Sequence, residues 1–424
     1  MRVIVLLTKN YPFGKLETYL NNEIPVLASK ADKLIIVPVD EYKYTELNPL
    51  CAQFANVEVL TINKNMRQGS FASKVLANFS AFLAVFREIM LGREGRVHLK
   101  RWRFCMTYFK VAYHQSVRLH EELQKLNLVE ESLVFYNYWL HKSTIVSNLL
   151  KNRLRRNISI ISRSHSSDLY HKDWYEITQG NEIMFVPFEY FKVTHCNEIY
   201  SISTHGFNHF QKTFPALKNK FNIARLGVDR QDEHSPIDVE PVFRIATCSA
   251  IQGRKRIDRI PHILSLVKDL NIEWVHFGSG ERGDVEAVNN EVKKYGLEDR
   301  VTLFGHVSHQ FILDYYRTHQ INLILNLSYA EGIPVSLMEA ISFGIPGIAT
   351  ATVGNPEIID NTCGFIIPIE YDPMDVAKQV RELHSNKELR IQLREGALHM
   401  FEKRYYSIAN YSEFTAMLLN HCQS

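Results

Sequence analysis

The stretch "INLILNLSYAEGIPVSLMEAISFGIPGIAT", residues 321–350, decides the fold. It begins with a short apolar run typical of a buried strand and passes through the loop "YAEGIP" into an apolar pattern of helical period. Pro334 suits the first turn of that helix and Gly344 suits its end, after which "IPGIAT" reads as a second strand. A strand, a helix and another strand in this order predict a parallel sheet covered by helices.

The same alternation continues through most of the 424 residues. A chain of this length exceeds one ordinary core, so we expect two or three domains. The predicted strands are "RVIVLL", "KLIIVPV", "SLVFYNYW", "ISIISRSH" and "EIYSIS" in the first half, and "FRIATCSA", "IEWVHFG", "RVTLFG", "INLILNLS" and "IPGIAT" in the second. We therefore predict an α/β protein of two Rossmann-like, doubly wound parallel-sheet domains.

The polar stretch from Gly227 to Val242 has two prolines and little periodicity, which indicates a domain boundary. We expect a first domain at residues 1–228, a linker at 229–242 and a second domain at 243–401. Two such domains leave a central cleft, and ligands of doubly wound sheets bind beyond the carboxyl ends of the strands. The loops that follow the predicted strands should therefore carry the function.

The loop at residues 331–339 combines features that suit a nucleotide sugar. The amides from Ile333 to Ser336 are expected to point out of a helix N-terminus, which attracts a diphosphate. Glu331 and Glu339 lie on either side of these amides, at a separation on the order of 10 Å. Carboxylates accept hydrogen bonds from vicinal hydroxyls, so one acid can hold the transferred sugar and the other the ribose. The alternative is that both acids only complement the helix dipole.

Composition and charge limit the other possibilities. The net charge of +3 gives no support for a nucleic-acid partner, although the segment 61–120 carries a net +9 with apolar residues interleaved. That basic segment suits either contact with an anionic membrane or a solvated helix surface. The six cysteines are scattered and form no metal-binding spacing, which suits a reducing compartment. The N-terminal apolar run is too short for a signal peptide, so we expect a cytoplasmic protein, peripheral on the inner membrane face at most.

The segment "EGIPVSLMEA", with its Glu-x7-Glu spacing, resembles the donor-binding motif of the retaining glycosyltransferases of family 4, and "GNPEII" (354–359) resembles that family's Gly-x-Pro-Glu turn. The resemblance implies the two-domain GT-B fold, with a tail helix at about residues 402–424 that crosses back to the N-terminal domain. It also implies that Glu331 contacts the donor sugar and Glu339 the ribose. The donor site would then include Gly332, Ile333, Pro334 and Val335.

Other segments extend this resemblance over the donor domain. "CSAIQGRKRIDRI" is similar to the family's first donor-domain strand and loop, where an arginine and a lysine meet the pyrophosphate. Lys255 matches the lysine, whereas Ala250 stands at the arginine position, so Arg254 or Arg256 would have to share the phosphate charge. "HFGSGE" and "LFGHV" resemble strand ends at which Gly278 and Gly305 let the backbone approach the nucleotide.

The N-terminal half would supply the acceptor side. "YPFGKLETYLNNE" follows the first strand, and the resemblance implies that Gly14 gives a tight loop near the donor phosphate and the acceptor. Glu17 could bind acceptor hydroxyls or act as an ordinary helix-start acid. In "ISRSHSSDLY", His165 resembles the family's acceptor-domain histidine and Asp168 would hold its ring or loop. Tyr138 could stack on a sugar or belong to the core.

The resemblance implies a retaining transferase that moves a sugar from a nucleotide diphosphate sugar to a hydroxyl of a glycan or lipid-linked acceptor. A bacterial surface polysaccharide is the expected product class. Lys255, Glu331 and His165 would carry the reaction. We expect no cofactor, and no metal because no Asp-x-Asp pair is present. The longer phosphorylases and the epimerases fit the motifs less well, and a non-catalytic scaffold or binding subunit of this fold is the main alternative.

Overall fold

The structure is a computed structural model. It describes residues 1–14, 17–40, 46–62, 71–91, 102–154, 156, 158–165, 168–169, 187–237 and 239–422. The described part falls into two compact units. One unit holds the described residues up to Leu169, residues 187–225 and residues 408–422, and the other holds residues 226–407.

Thirteen strands are present among the described residues, and every pairing between them is parallel. They are Arg2–Thr8 (β1), Lys33–Pro38 (β2), Val57–Val59 (β3), Ser132–Asn137 (β4), Ser159–Ser164 (β5), Glu198–Ser201 (β6), Phe221–Ile223 (β7), Phe243–Cys248 (β8), Ile272–Phe277 (β9), Val301–Leu303 (β10), Leu323–Asn326 (β11), Gly347–Thr350 (β12) and Gly364–Ile367 (β13).

The α-helices among the described residues follow the strands. They are Ile24–Lys30 (α1), Phe71–Leu91 (α2), Trp102–Lys125 (α3), Lys142–Leu154 (α4), Glu189–His195 (α5), Thr204–Thr213 (α6), Ile260–Ser265 (α7), Arg282–Lys294 (α8), His309–Thr318 (α9), Val335–Ser342 (α10), Asn355–Ile358 (α11), Pro373–Ser385 (α12), Lys387–Arg404 (α13) and Ser407–Asn420 (α14).

Both sheets have the same doubly wound topology. The first runs β3-β2-β1-β4-β5-β6-β7 and the second β10-β9-β8-β11-β12-β13. In each, the strand order reverses beside the first strand, between β1 and β4 and between β8 and β11. The crevice at the carboxyl ends of such a strand pair is where open α/β sheets bind ligands. The predicted fold class of two Rossmann-like sheets is confirmed.

Three strands are not predicted from the sequence, and all three are short edge strands. β3, β7 and β13 contain three or four residues each and lie at the ends of the two sheet orders. An edge strand has a neighbouring strand on one side only and is less covered. Its sequence therefore need not contain the long apolar run by which a strand is recognised.

The expected linker at 229–242 is packed on the second unit. Ser235 is fully buried. Its amide donates to the carbonyl of Phe343 at 3.1 Å and its hydroxyl donates to the carbonyl of His319 at 3.1 Å. Ile321 in turn donates its amide to the Ser235 hydroxyl at 3.0 Å. The described residues of this stretch therefore belong to the second unit, because its polar groups are satisfied there.

The last helix, α14, completes the core of the first unit. Phe414, Leu418 and Leu419 pack in one apolar cluster with Ile4 and Leu6 of β1. Residues up to Arg404 belong instead to α13 of the second unit, so the returning segment begins a few residues later than the expected position 402.

A buried ion pair lies under α14. Arg163 of β5 places Nη1 2.7 Å from Oε2 of Glu23, and neither side chain is exposed. The Tyr136 hydroxyl donates to the other oxygen of Glu23 at 2.9 Å. The guanidinium of Arg163 also lies 4.4 Å from the ring centre of Phe414 and 5.7 Å from that of Tyr411, both in α14. The pair thus links the first sheet to the C-terminal helix.

Candidate functional site

A small pocket lies at the carboxyl ends of β8 and β11, at the point where the second sheet reverses its strand order. Its lining includes Thr247 and Cys248 at the end of β8, Ser249 after it, Ser328 after β11, and Ser336 at the start of α10. Lys255 also lines it. The topology thus brings the two predicted donor-binding loops together.

Lys255 and Glu331 form the centre of this site. The ammonium of Lys255 contacts Oε1 of Glu331, and both side chains are largely buried. Burial lowers the pKa of Lys255, while the charge of Glu331 opposes that shift. The second oxygen of Glu331 lies 3.7 Å from a guanidinium nitrogen of Arg254. Two cations surrounding one carboxylate leave a net positive charge at the strand ends, which suits an anionic group.

A chain of hydrogen bonds holds Glu331 in this position. The Ser328 hydroxyl donates to Oε1 of Glu331 at 2.8 Å. The Thr350 hydroxyl donates to the carbonyl of Ser328 at 2.6 Å, and the Asn355 side-chain amide donates to the carbonyl of Thr350 at 2.9 Å. These residues come from the ends of β11 and β12 and from α11, so the Gly-x-Pro-Glu turn helps to place the acid.

Two glycines allow the motif loops to approach closely. A Cβ atom on Gly354 would lie only 1.7 Å from the carbonyl oxygen of Gly332. Any other residue at position 354 would therefore push the loop of Glu331 away from the turn that supports it. The turn at Gly354 therefore holds the loop between Glu331 and α10 in place.

Helix α10 begins one residue later than expected. Pro334 is the N-cap rather than a residue of the first turn, and no side chain caps the helix. Its carbonyl accepts the first intrahelical bonds, from the amides of Leu337 and Met338. Pro334 has no N–H, so the predicted run of amides reduces to Ile333, Val335 and Ser336. These amides precede the helical ladder and remain suited to an anion.

Glu339 lies in α10 and has a different partner from Glu331. Its Oε1 accepts a hydrogen bond from Nε2 of His309 at 2.7 Å. The hydrogen bond to Glu339, together with the charge of that carboxylate, raises the pKa of His309 against the lowering effect of burial. His309 is not predicted from the sequence, because a histidine at the start of a helix matches no motif and its partner lies in another helix.

Arg254 and Arg256 are used differently. Arg254 donates to the carbonyl of Ala330 at 3.1 Å and stays beside Glu331. The guanidinium of Arg256 contacts the carbonyl of Ile369, pairs with Glu370 at 2.6 Å and lies 4.6 Å from the ring centre of Tyr329. The backbone of Arg256 is left-handed, with φ at 54°. Arg256 therefore supports the loop after β8 through these contacts, and its contact with phosphate stays a prediction.

Gly278 and Gly305 pack the loops after β9 and β10 against each other. The amide of Gly278 donates to the carbonyl of Gly305 at 2.9 Å. Gly278 has φ of +136°, and a Cβ there would lie 1.8 Å from the carbonyl oxygen of Ser249. Gly278 thus allows a close approach to the loop that follows β8.

In the first unit, Glu17 holds the loop after β1. Its carboxylate accepts hydrogen bonds from the amides of Asn10 and Tyr11, each at 2.7 Å, and from the indole of Trp139 at 2.6 Å. Gly14, in the same loop, has φ of +76°. Glu17 is buried and stands immediately before the short helix Thr18–Asn22, as the helix-start alternative expects, but its side chain bonds the loop after β1 and does not cap that helix. Its contact with an acceptor stays a prediction. Trp139 was not singled out from the sequence.

His165 and Asp168 form a buried cluster after β5. Asp168 accepts the amide of His165 at 2.8 Å, and its other oxygen lies 2.6 Å from Nε2 of His141. The ring nitrogen Nε2 of His165 lies 3.1 Å from the carbonyl of Tyr138. Burial lowers the pKa of His165 to about 3, so its ring is neutral near pH 7. Asp168 therefore holds the His165 backbone and the His141 ring.

Tyr138 belongs to the core, which was one of its two alternatives. Its side chain is fully buried, and its ring centre lies 5.7 Å from that of Tyr19 and 4.9 Å from that of His165. The ring of Trp139 lies 4.2 Å from that of His165. An aromatic layer thus packs on the ring of His165.

Among the described residues, no cluster of three His, Cys, Asp or Glu side chains has the arrangement of a metal site. None of the described helices is both long enough and apolar enough to cross a membrane.

The second unit is similar to known proteins. Residues 230–400 match the family model described as "Glycosyl transferases group 1". The amylovoran biosynthesis glycosyltransferase AmsK of Erwinia amylovora is 28% identical over 165 residues, which are 35% of this chain and 38% of that protein. Lipopolysaccharide 1,6-galactosyltransferase of Escherichia coli (strain K12) is 28% identical over 105 residues, 25% of this chain and 28% of that protein. The aligned stretches thus span about a third of these relatives' length.

Solved structures resemble nearly the whole chain. The lipopolysaccharide outer core galactosyltransferase WaaB, in its apo form, matches with a TM-score of 0.67 and 14% identity, over 98% of this chain and 100% of that chain. Alr3699/HepE of Anabaena in complex with UDP matches with a TM-score of 0.67 and 13% identity, over 99% of this chain and 100% of that chain. These likenesses show the fold, which is the expected GT-B fold.

Proposed function

We propose that this chain, whose residues 230–400 match the family model of the glycosyl transferases group 1, is a glycosyltransferase that uses a nucleotide diphosphate sugar. The observation that carries the proposal is the meeting of Lys255 and Glu331 beside the uncapped start of α10. This arrangement offers positive charge and free amides to a diphosphate, and a carboxylate to sugar hydroxyls. Glu339 would hold the ribose.

The proposed reaction retains the configuration at the anomeric carbon. The acceptor oxygen forms a bond to that carbon on the face from which the diphosphate leaves, and the acceptor proton passes to a diphosphate oxygen. Lys255 and the amides of α10 meet the negative charge that develops on the leaving group. This charge stabilisation needs no metal ion, and we propose that the enzyme works without one. His165, being neutral and fixed, would orient the reacting sugar without a charge of its own.

The acceptor is proposed to be a glycan or lipid-linked hydroxyl of a bacterial surface polysaccharide. The named relatives support this class, since one acts in amylovoran biosynthesis and another on lipopolysaccharide. They are transferases, so the alternative of a non-catalytic scaffold is not favoured. We propose a cytoplasmic location with peripheral contact to the membrane.

The membrane contact is supported by an apolar stripe on α2. Phe79, Phe82 and Phe86 recur at helical spacing on one face and are between 47% and 61% exposed. Val75, Leu76 and Leu83 are exposed on the same helix. Exposed rings at this spacing suit insertion between lipid headgroups.

Basic residues lie near this stripe. Arg87 in α2 and Arg103 in α3 are exposed, whereas Arg118 is paired with Glu121 and Glu122. Lys64, Arg67, Arg93, Arg96, Lys100 and Arg101 of the basic segment lie outside the described residues. Among the described side chains of α2, six apolar residues and Arg87 are exposed, which suits an apolar contact with a membrane beside an electrostatic one.

The function is tested by release of nucleoside diphosphate from a panel of UDP-, GDP- and ADP-sugars, with the full chain as catalyst. We expect at least one donor to be turned over and Glu331→Gln to reduce the rate by about 100-fold or more. Glu286→Gln, an exposed acid of α8 paired with Arg282, is the matched control and should keep the wild-type rate. Absence of turnover with every donor, with or without added lipid-linked glycan, would support the scaffold alternative.

A further inference from the structure

A hydrogen bond joins His309 and Glu339, which lie in two helices of the second unit. His309 is the first residue of α9, at a start fixed by Ser308, whose hydroxyl accepts the amide of Phe311 at 3.1 Å. Its Nε2 lies 2.7 Å from Oε1 of Glu339 in α10. The His309 side chain is 62% exposed and that of Glu339 only 12%. An exposed side chain thus reaches over a largely buried acid.

The geometry leaves one carboxylate oxygen of Glu339 open. His309 engages Oε1, and no described residue donates a hydrogen bond to Oε2. A carboxylate has two oxygens with lone pairs on each, so it can hold a protein donor and a ligand hydroxyl together. A flexible glutamate in α10 has several rotamers, and the contact with His309 selects one of them.

We propose that His309 is a positioning residue that presents Oε2 of Glu339 to the ribose hydroxyls of the nucleotide. The inference rests on the proposed function, because it takes Glu339 as the ribose ligand. It adds a residue outside the Glu-x7-Glu motif, supplied by the helix that follows β10. His309 acts through Glu339 and needs no contact of its own with the nucleotide.

The charges around His309 make this positioning sensitive to pH. Glu339 faces it from α10 and raises its pKa, and Asp229, from the stretch before β8, raises it further, against the lowering effect of burial. Protonated imidazole gives a charge-assisted bond to the carboxylate, which is stronger than the neutral one. The preference for ribose should therefore weaken as the pH rises through the raised pKa of His309.

Calorimetric titration of the full chain with UDP and with 2′,3′-dideoxy-UDP tests the proposal. We expect His309→Ala to weaken UDP binding by about three- to tenfold, the range given by one hydrogen bond of ordinary strength, and to leave dideoxy-UDP binding unchanged. His309→Gln, which keeps a donor without a charge, should restore part of the ribose preference and remove its pH dependence. His399→Ala, an exposed histidine of α13, is the matched control.

Each outcome decides the proposal. If His309→Ala weakened the binding of UDP and of dideoxy-UDP equally, the imidazole would act on the diphosphate. This result would overturn the proposal. Tighter UDP binding by the variant would show that His309 competes with ribose, which also overturns it. A wild-type chain that binds none of UDP, GDP and ADP would remove the proposed function and this inference with it, whereas unchanged affinities in a chain that binds UDP remove the inference alone.

Discussion

Lys255 contacts the carboxylate of Glu331 although 76 positions separate them in the chain. Both side chains are largely buried, so removing one leaves the other without its partner. We expect Glu331→Gln to lower the free energy of unfolding by about 1–3 kcal/mol. The double variant with Lys255→Met should recover part of this loss, because the unpaired ammonium is gone. Urea unfolding of the four proteins of this cycle measures the coupling, and additive effects of the two changes would show that the contact contributes nothing.

The ion pair of Arg163 and Glu23 should be among the most sensitive points of the first unit. Glu23→Ala strands a fully buried guanidinium, and we expect a loss of about 3–5 kcal/mol in the free energy of unfolding. Glu121→Ala, which breaks the exposed pair with Arg118, should cost less than about 1 kcal/mol. Chemical denaturation followed by circular dichroism measures the free energy of unfolding of both variants. Similar losses in the two variants would show that burial does not make the Arg163–Glu23 pair the more important one.

The burial of His165 predicts a loss of stability in acid. Its pKa falls from about 6.5 in the unfolded chain to about 3 in the folded one, so the unfolded state binds the proton first as the pH drops. The stability that neutral His165 contributes is complete above pH 6.5 and declines towards pH 3, by roughly 2 kcal/mol at pH 5.

Denaturant unfolding of wild type and His165→Gln between pH 5 and 7 measures this slope. The variant should show a shallower decline with falling pH. His276, whose pKa burial lowers to about 4, keeps part of the slope in both proteins. Identical slopes in the two proteins would place the acid sensitivity elsewhere.

The phenylalanines of α2 should govern membrane binding. Replacing Phe79 and Phe86 by serine removes two exposed rings, and we expect co-sedimentation with phosphatidylglycerol-containing vesicles to fall by about tenfold. Phe311→Ser, at an exposed ring of the second unit, is the control and should bind as wild type does. Binding that is lost at high salt and unaffected by the serine substitutions would indicate a purely electrostatic contact.

Ala250 offers a gain-of-function test. It is exposed after β8, five positions before Lys255, where the resembling family has an arginine. Ala250→Arg should tighten UDP binding by about three- to tenfold at low salt, since an arginine adds a charge-assisted contact to phosphate. Ala250→Gln, of similar length and no charge, should not. An unchanged affinity for Ala250→Arg would indicate that Lys255 and Arg254 already satisfy the diphosphate.

The amino-acid sequence predicts those features that a long apolar run or a spaced motif marks. The strands around both points of strand-order reversal, and the loops bearing Lys255 and Glu331, belong to this class. It could not foresee the direction of Arg256, which depends on a left-handed backbone at φ 54°. Nor could the sequence predict that the carboxylate of Glu17 accepts hydrogen bonds from amides of the loop after β1. Such contacts depend on tertiary geometry, which local pattern does not encode.

The packing of the aromatic rings of α14 against Arg163 has a consequence for the synthesis of the chain. Tyr411 and Phe414 come from α14, so the ribosome must translate the whole second unit before the first can enclose its buried cation. Domains usually fold in the order in which they emerge. In this chain the first unit is translated first but would finish folding last. Until then Arg163 and Glu23 would remain exposed to water on the side that α14 later covers.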